Sequence, residues 1–408
     1  MPITSHYSSV LKNSNFIKLW LAQFISVFVA NLLNFVVVVR IFESLRSNTA
    51  IAIFWMIYAL PTVILGLFAG VLIDYWSKRK VLLLTNLFQA VAALFYLPLG
   101  TKIWPIYGVV FLYSLIDEFF RPAQEASLPS FVKKENLPLA NGLMVFSLQG
   151  AGVLGYILAG PLMRRTPPQT PYFLGSVLLL LGALVAALLP VDAPANHQKP
   201  LGNGFAGFIS DLKEGYQVIR NKRKIWTSVF LMTLAGAMVT LVVALIPSIS
   251  ENIFGRDLRD AAPLIIPPAA SGAVLTTLAI NRLIKVVGRV NLTRLGFFLM
   301  GSFFLLLSLL SPRVSANLLF MGLAGFLAGI SLVIINTLPK TSIQENTPFG
   351  NRGRVFGALR TLITLASGIP MLLGAALADL LGLNLVLSAT GALVLFASFY
   401  LLRREDGI

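Results

Sequence analysis

The sequence contains no cysteine and only two histidines, His6 and His197, among its 408 residues. The lack of cysteine excludes a disulfide framework, a thiol nucleophile and a cysteine-ligated metal. Both histidines lie near polar ends of segments, so the sequence predicts neither a metal site nor a cofactor. A nucleophile–base pair and a phosphate-binding loop are also missing, and we therefore do not expect an enzyme.

Charged residues are scarce as well. They make up 12% of the chain, whereas a soluble protein carries about 25%. Hydrophobic residues make up 57%, and the mean hydropathy is +0.82. The apolar runs are long and continuous rather than alternating, which favours membrane-spanning helices over a membrane barrel. The sequence predicts an all-α integral membrane protein with twelve transmembrane helices.

The twelve apolar runs fall into two groups of six, separated by a polar segment. We predict an N-terminal six-helix half at residues 1–190, a cytoplasmic linker at 191–224 and a C-terminal six-helix half at 225–408. Apolar residues recur at helical spacing between Phe205 and Ile219 of the linker. This pattern predicts an amphipathic helix that lies on the membrane surface.

The net charge of +16 has an uneven distribution along the chain. Three quarters of the 32 Lys and Arg residues fall on one side of the predicted membrane topology. Because cytoplasmic loops are enriched in these residues, this bias predicts that both termini are cytoplasmic. The positive charge then follows from topology, and no nucleic-acid partner is predicted. We expect a monomeric, multi-pass protein of a bacterial-type plasma (inner) membrane, in direct contact with the lipid bilayer.

A short turn follows the second apolar run, where an acid is succeeded by cations. Its key residues are Gly70, Asp74, Lys78 and Arg79. This turn resembles the signature loop of the major facilitator superfamily, although Tyr75 replaces the usual Arg. Four further stretches resemble the macrolide-efflux and enterobactin-exporter branch, also called the third drug/proton antiporter family. These stretches are Asn15–Ser26, Phe119–Leu143, Asp211–Tyr216 and Gln344–Gly357.

The resemblance implies a fold in which two six-helix halves rock around a central site. It also implies a cytoplasmic latch, because the signature Asp of the superfamily docks against the start of helix 11. The latch in this sequence would comprise Gly70, Asp74, Lys78, Arg79, Arg352 and Arg354. The acid that this branch often carries in helix 1 is missing, since Val29–Asn31 stand there.

The end of the fourth apolar run carries a group of polar residues at helical spacing. Ser114, Asp117, Glu118 and Arg121 share one helical face. One interpretation is a structural ion pair between Asp117 and Arg121. The other is that Asp117 and Glu118 take up protons during transport, under the control of Arg121 or Arg360. Arg360 has a second interpretation too, as a side chain that reaches back to the cytoplasm.

Several uncharged polar residues interrupt the apolar runs. Four of them share one face of the first run, namely Gln23, Ser26, Asn31 and Asn34. Four polar side chains on one face favour a water-accessible pathway over helix–helix hydrogen bonds alone. The substrate-pathway candidates are Gln23, Ser26, Asn31, Asn34, Gln149, Asn336 and Thr364. Asp379, near the end of the eleventh run, is either a second proton site or an interfacial acid.

Together these features predict a secondary active transporter. We expect it to export an amphipathic organic compound, such as a drug, a macrolide-like product or a siderophore-like compound, by proton antiport with alternating access. Two alternatives within transport are a lysophospholipid flippase and a facilitator without proton coupling. A non-transporting membrane sensor or scaffold is the alternative of another class.

Overall fold

The structure is a computed structural model of the chain. It describes residues 10–99, 102–191, 216, 220, 222–309, 317–347 and 352–400. Within these ranges the regular structure is entirely helical and comprises twelve α-helices. The predicted all-α class is therefore confirmed.

The helices of the first part of the chain are long and separated by short connections. They are α1 (Ser14–Leu45), α2 (Asn48–Tyr75), α3 (Lys78–Leu94), α4 (Trp104–Phe131), α5 (Leu137–Arg165) and α6 (Thr170–Ala187). The helices of the second part are α7 (Arg223–Ser248), α8 (Leu258–Val287), α9 (Arg289–Leu309), α10 (Leu318–Asn346), α11 (Arg352–Leu381) and α12 (Leu383–Tyr400). A π-helical turn, Ile249–Ile253, follows α7.

Nine of the described helices are long and apolar enough to cross a membrane by length and composition. The α3 helix has only 17 residues, and α12 is a shorter apolar helix. The α4 helix is less apolar because it carries Asp117, Glu118, Arg121 and Glu125. Charged groups within a spanning helix are rare and mark functional sites by default.

The described residues group into two compact units. The first contains those within Met1–Leu45 and Phe54–Pro200, and the second those within Arg46–Ile53 and Leu201–Ile408. The start of α2 thus belongs to the second unit and its remainder to the first. The predicted division of the chain at residues 190 and 225 stays a prediction.

In the first unit α1 packs closely on α5. A Cβ atom added to Gly155 of α5 would lie only 2.6 Å from the carbonyl oxygen of Phe28. The absence of a side chain therefore lets the two backbones approach, as small residues do between membrane helices. Phe16 and Leu19 of α1 are fully buried in the same unit, together with Leu82 of α3.

In the second unit α8 and α10 pack in the same manner over several turns. A Cβ atom on Gly325 of α10 would lie 2.5 Å from the carbonyl oxygen of Ile265. Gly329 of α10 faces the carbonyl of Ala269, and Gly272 of α8 faces that of Phe326. The three glycines allow backbone-to-backbone contact along this helix pair.

Candidate functional site

Two acidic residues of α4 each accept a hydrogen bond from an uncharged side chain on a neighbouring helix. The Gln89 amide nitrogen of α3 donates to Oδ1 of Asp117 over 2.8 Å. The Thr62 hydroxyl of α2 donates to Oε2 of Glu118, also over 2.8 Å. We call these four residues the carboxylate cluster.

Further polar contacts join the surrounding helices to α4. The Ser114 hydroxyl of α4 donates to the carbonyl oxygen of Tyr58 in α2. Asn34 of α1 lies beside Tyr58. Tyr113 is 3% exposed, and its hydroxyl has no hydrogen-bond partner among the described residues. The carboxylate cluster thus lies in a polar region shared by α1 to α4.

Both carboxyl groups of the carboxylate cluster are bonded by neutral partners. Among the described residues neither Asp117 nor Glu118 has a Lys or Arg nitrogen at ion-pair distance, and Arg121 is exposed. A threonine hydroxyl can donate or accept a hydrogen bond, and a glutamine amide offers both functions. Gln89 and Thr62 can therefore bind their acids in the charged and in the protonated form.

Access to solvent differs within the carboxylate cluster. Asp117, Glu118 and Thr62 are partly exposed, whereas Gln89 is 0% exposed. Gln89 is thus enclosed by its surroundings, whereas the two acidic residues retain some exposed surface. This combination suits a group that exchanges protons with a water-filled pathway.

The sequence reasoning did not identify Gln89 or Thr62. A usable signal exists in α3, where Asn86 and Gln89 lie three residues apart in an apolar helix and are both 0% exposed. Two amides on one face of a membrane helix indicate a polar contact with a neighbouring helix. Nothing in the sequence pairs Thr62 with Glu118, which lies 56 residues further along the chain.

The predicted pathway residues of α1 make contacts of different kinds. Gln23 is 2% exposed, and its amide nitrogen donates to the Met144 carbonyl over 2.9 Å and to the Ser147 hydroxyl over 2.7 Å. Ser26 is 1% exposed, and Asn31 donates to the carbonyl of Val27 in its own helix. Among the four, Asn34 is the one that lies beside a residue of the polar region around α4.

The other predicted pathway residues lie apart from these. Gln149 of α5 is exposed. Asn336 of α10 is partly exposed and donates to the Leu332 carbonyl of its own helix over 2.9 Å. Thr364 of α11 is partly exposed. Their roles in a substrate pathway stay predictions.

Most of the predicted cytoplasmic latch lies outside the described side chains. Gly70 and Asp74 are in α2, and Arg352 and Arg354 are in α11, but only their helical backbone is described. The same holds for Arg360 of α11, which is a predicted proton-coupling candidate and not part of the predicted latch. Lys78 begins α3, where the Ser77 hydroxyl caps the helix. Arg79 donates to the Ala187 carbonyl over 2.6 Å, at the end of α6.

The sequence and the fold can now be compared with known proteins. Residues 19–371 match the Major Facilitator Superfamily. The chain belongs to this superfamily. Its members are transporters, so the protein is a membrane transporter and not an enzyme.

Relatives of known name give a finer comparison. The chain is 24% identical over 396 residues to Macrolide efflux protein A of Streptococcus pyogenes, covering 93% of each chain. It is 24% identical over 362 residues to the Staphyloferrin A transporter of Staphylococcus aureus, covering 85% of each. The fold is similar to the crystal structure of the nucleoside transporter NupG, with a TM-score of 0.74 at 13% identity over 94% of this chain and 97% of that one. The predicted twelve-helix fold is thereby confirmed.

Proposed function

We propose that this transporter exports an amphipathic organic compound by proton antiport with alternating access. The carboxylate cluster carries the proposal, because it combines two carboxyl groups, neutral hydrogen-bond partners and partial exposure inside an otherwise apolar helical unit. Intramembrane acids of this kind serve as proton relays in pumps and transporters.

The carboxylate cluster would couple proton transport to compound transport because its protonated and deprotonated states bind the compound with different affinity. With Asp117 or Glu118 protonated, the negative charge is lost, and Gln89 or Thr62 accepts the new O–H instead of donating. When the proton leaves, the original hydrogen bonds form again. A compound that binds only one of these states shifts the proton occupancy, and this differential affinity is the basis of exchange.

The class of compound is suggested by the relatives. One is named for macrolide efflux and another for transport of staphyloferrin A. A mainly apolar binding surface with a few polar groups suits an amphipathic organic molecule. We place the protein in a bacterial-type plasma membrane with both termini cytoplasmic, as the distribution of Lys and Arg favours.

The test uses the full-length protein in sealed proteoliposomes that contain a pH-sensitive dye. A macrolide or a siderophore is added on one side, and compound flux and proton flux are recorded together. We expect coupled fluxes in opposite directions in the native protein. The Asp117→Asn/Glu118→Gln variant should lose the proton flux, and Glu125→Gln should retain it because Glu125 is an exposed acid of the same helix.

Other outcomes would favour the alternative functions. Compound flux without proton movement in the native protein would indicate a facilitator. Movement of a labelled lysophospholipid between leaflets, with no flux of soluble compounds, would indicate a flippase. Absence of any flux together with compound binding would indicate a sensor or scaffold. Coupled proton flux that persists in the double variant would contradict the role of the carboxylate cluster.

A further inference from the structure

The carboxylate of Asp379, near the end of α11, accepts five hydrogen bonds from three consecutive residues. Its Oδ2 atom accepts from the Ser47 hydroxyl at 2.7 Å, the Thr49 hydroxyl at 2.7 Å and the Thr49 backbone nitrogen at 2.9 Å. Its Oδ1 atom accepts from the backbone and side-chain nitrogens of Asn48, both at 2.8 Å. We call these four residues the Asp379 clamp.

In the Asp379 clamp, an acid of α11 caps the N-terminus of α2. The first backbone N–H groups of α2 have no partner within α2, and the start of a helix carries partial positive charge. Two of these groups, those of Asn48 and Thr49, point to the carboxylate of Asp379. Hydrogen bonds to an ionised acceptor are stronger than neutral ones, so Asp379 is a strong cap for α2.

A second acid contacts the residue that precedes the Asp379 clamp. Arg46 connects α1 to α2 with a φ of +50° and forms an ion pair with Glu251 of the π-helical turn after α7. The Arg46 side chain is 61% exposed and that of Glu251 is 32% exposed. Exposed pairs of this kind contribute little. Asp379 makes the larger number of the polar contacts described for this segment.

The segment at residues 46–53, which contains the partners of Asp379, groups differently from the helices on either side of it. Residues 46–53 group with the second unit, although α1 before them and the rest of α2 after them belong to the first. Ile51 and Ala52 are 0% exposed within this segment. If the two halves move during transport, the start of α2 must either stay with the second unit or separate from it.

We infer that the Asp379 clamp is a releasable latch at the predicted extracellular end of the protein. In this latch Ser47–Thr49 stay bound to Asp379 in one state of the transport cycle and leave it when that end opens. Asp379 is itself exposed, so water can replace its partners once they leave. The inference rests on the alternating-access part of the proposed function and is independent of proton coupling.

The Asp379 clamp is the counterpart of the cytoplasmic latch that the sequence predicts. In that latch Asp74, at the end of α2, meets the start of α11. In the Asp379 clamp the acid lies near the end of α11 and meets the start of α2. The same two helices would then carry one latch at each end, with the roles of acid and helix start exchanged.

Cross-linking tests whether release is required. The chain has no cysteine, so Ser47→Cys/Asp379→Cys introduces the only thiol pair. We expect oxidation of this pair in proteoliposomes to stop compound flux and reduction to restore it. Each single-cysteine variant should give the same flux with and without reductant. If the fully cross-linked protein transports the compound as fast as the protein whose disulfide has been reduced, the inference is overturned.

Accessibility of a buried cysteine gives a readout that does not depend on flux or on disulfide formation. Ala52→Cys is labelled in intact cells with a membrane-impermeant maleimide. We expect Asp379→Asn to accelerate labelling at least fivefold, because the neutral amide presents N–H groups to donors. Glu251→Gln, an acid-to-amide change at the neighbouring exposed ion pair, should change the rate less than twofold. Equal rates in the native and Asp379→Asn backgrounds would contradict the latch.

The antiport proposal and the latch proposal can be contradicted independently of each other. Loss of proton coupling in the native protein, with flux still blocked by the cross-link, would remove the antiport proposal and leave the latch. Flux that is coupled to protons but indifferent to the cross-link would remove the latch and leave antiport.

Discussion

The amide nitrogen of Gln89 lies 2.8 Å from Oδ1 of Asp117, so that a fully buried side chain of α3 fixes the acid of α4. The spacing of the residues in α4 allows a bond between Asp117 and Arg121, yet the acid is held by an uncharged partner from another helix. A neutral partner with donor and acceptor functions can hydrogen-bond the acid both before and after it gains a proton, whereas protonation removes the negative charge of the acid that attracts an arginine.

We predict that Gln89→Leu weakens proton-coupled transport about ten- to a hundredfold while the protein still folds. The variant removes one hydrogen bond to a charged group, worth about 1.5–3 kcal/mol, and 1.4 kcal/mol corresponds to a factor of ten. The measurement is the initial rate of compound flux in proteoliposomes at several pH values. Asn141→Leu, at an exposed amide of α5, is the control. A native rate and native pH profile in Gln89→Leu would count against the contact.

A second prediction concerns the packing of α8 and α10. Gly329→Ala places a methyl group against the backbone carbonyl of Ala269, which cannot move without separating the helices. We expect a loss of about 1–3 kcal/mol and a lower melting temperature in detergent. Gly322→Ala in the same helix is the control, because its added Cβ would meet only Pro268 Cγ at 3.9 Å. Equal losses in both variants would show that the close approach is not the cause.

A third prediction separates two interpretations of Gln23. Its amide joins α1 to α5 through Met144 and Ser147 and is almost completely buried. We expect Gln23→Leu to lower stability by about 1–3 kcal/mol, since two buried hydrogen bonds are lost, and to leave compound affinity within twofold. Thermal unfolding and equilibrium binding measure the two effects. A large loss of affinity at native stability would instead place Gln23 in the substrate pathway.

The fold could be predicted from the sequence because most of the described helices are long apolar runs, and lipid requires the backbone groups of a spanning segment to be satisfied within the helix. The pair Asp117 and Glu118 could also be singled out, since acids within such a run are rare. Helical spacing, however, identifies neighbours only along one helix. It predicted a possible bond between Asp117 and Arg121 but could not indicate Gln89, which lies 28 residues away.

The same limit applies more strongly to Asp379. Its partners Asn48 and Thr49 lie 331 and 330 residues away in the sequence. The sequence left Asp379 as either a proton site or an interfacial acid, because nothing local distinguishes these roles. Only the fold brings the start of α2 to the end of α11. The hydrogen bonds of its carboxylate are the basis for inferring a latch there.

The most direct test of the central claim is proton release when a compound binds to the purified protein in weakly buffered detergent. The account predicts that a transported compound releases protons from the native protein and from Glu125→Gln, and that Asp117→Asn/Glu118→Gln binds it without release. Tight binding to the native protein with no proton release, or undiminished release in the double variant, would contradict proton antiport through Asp117 and Glu118.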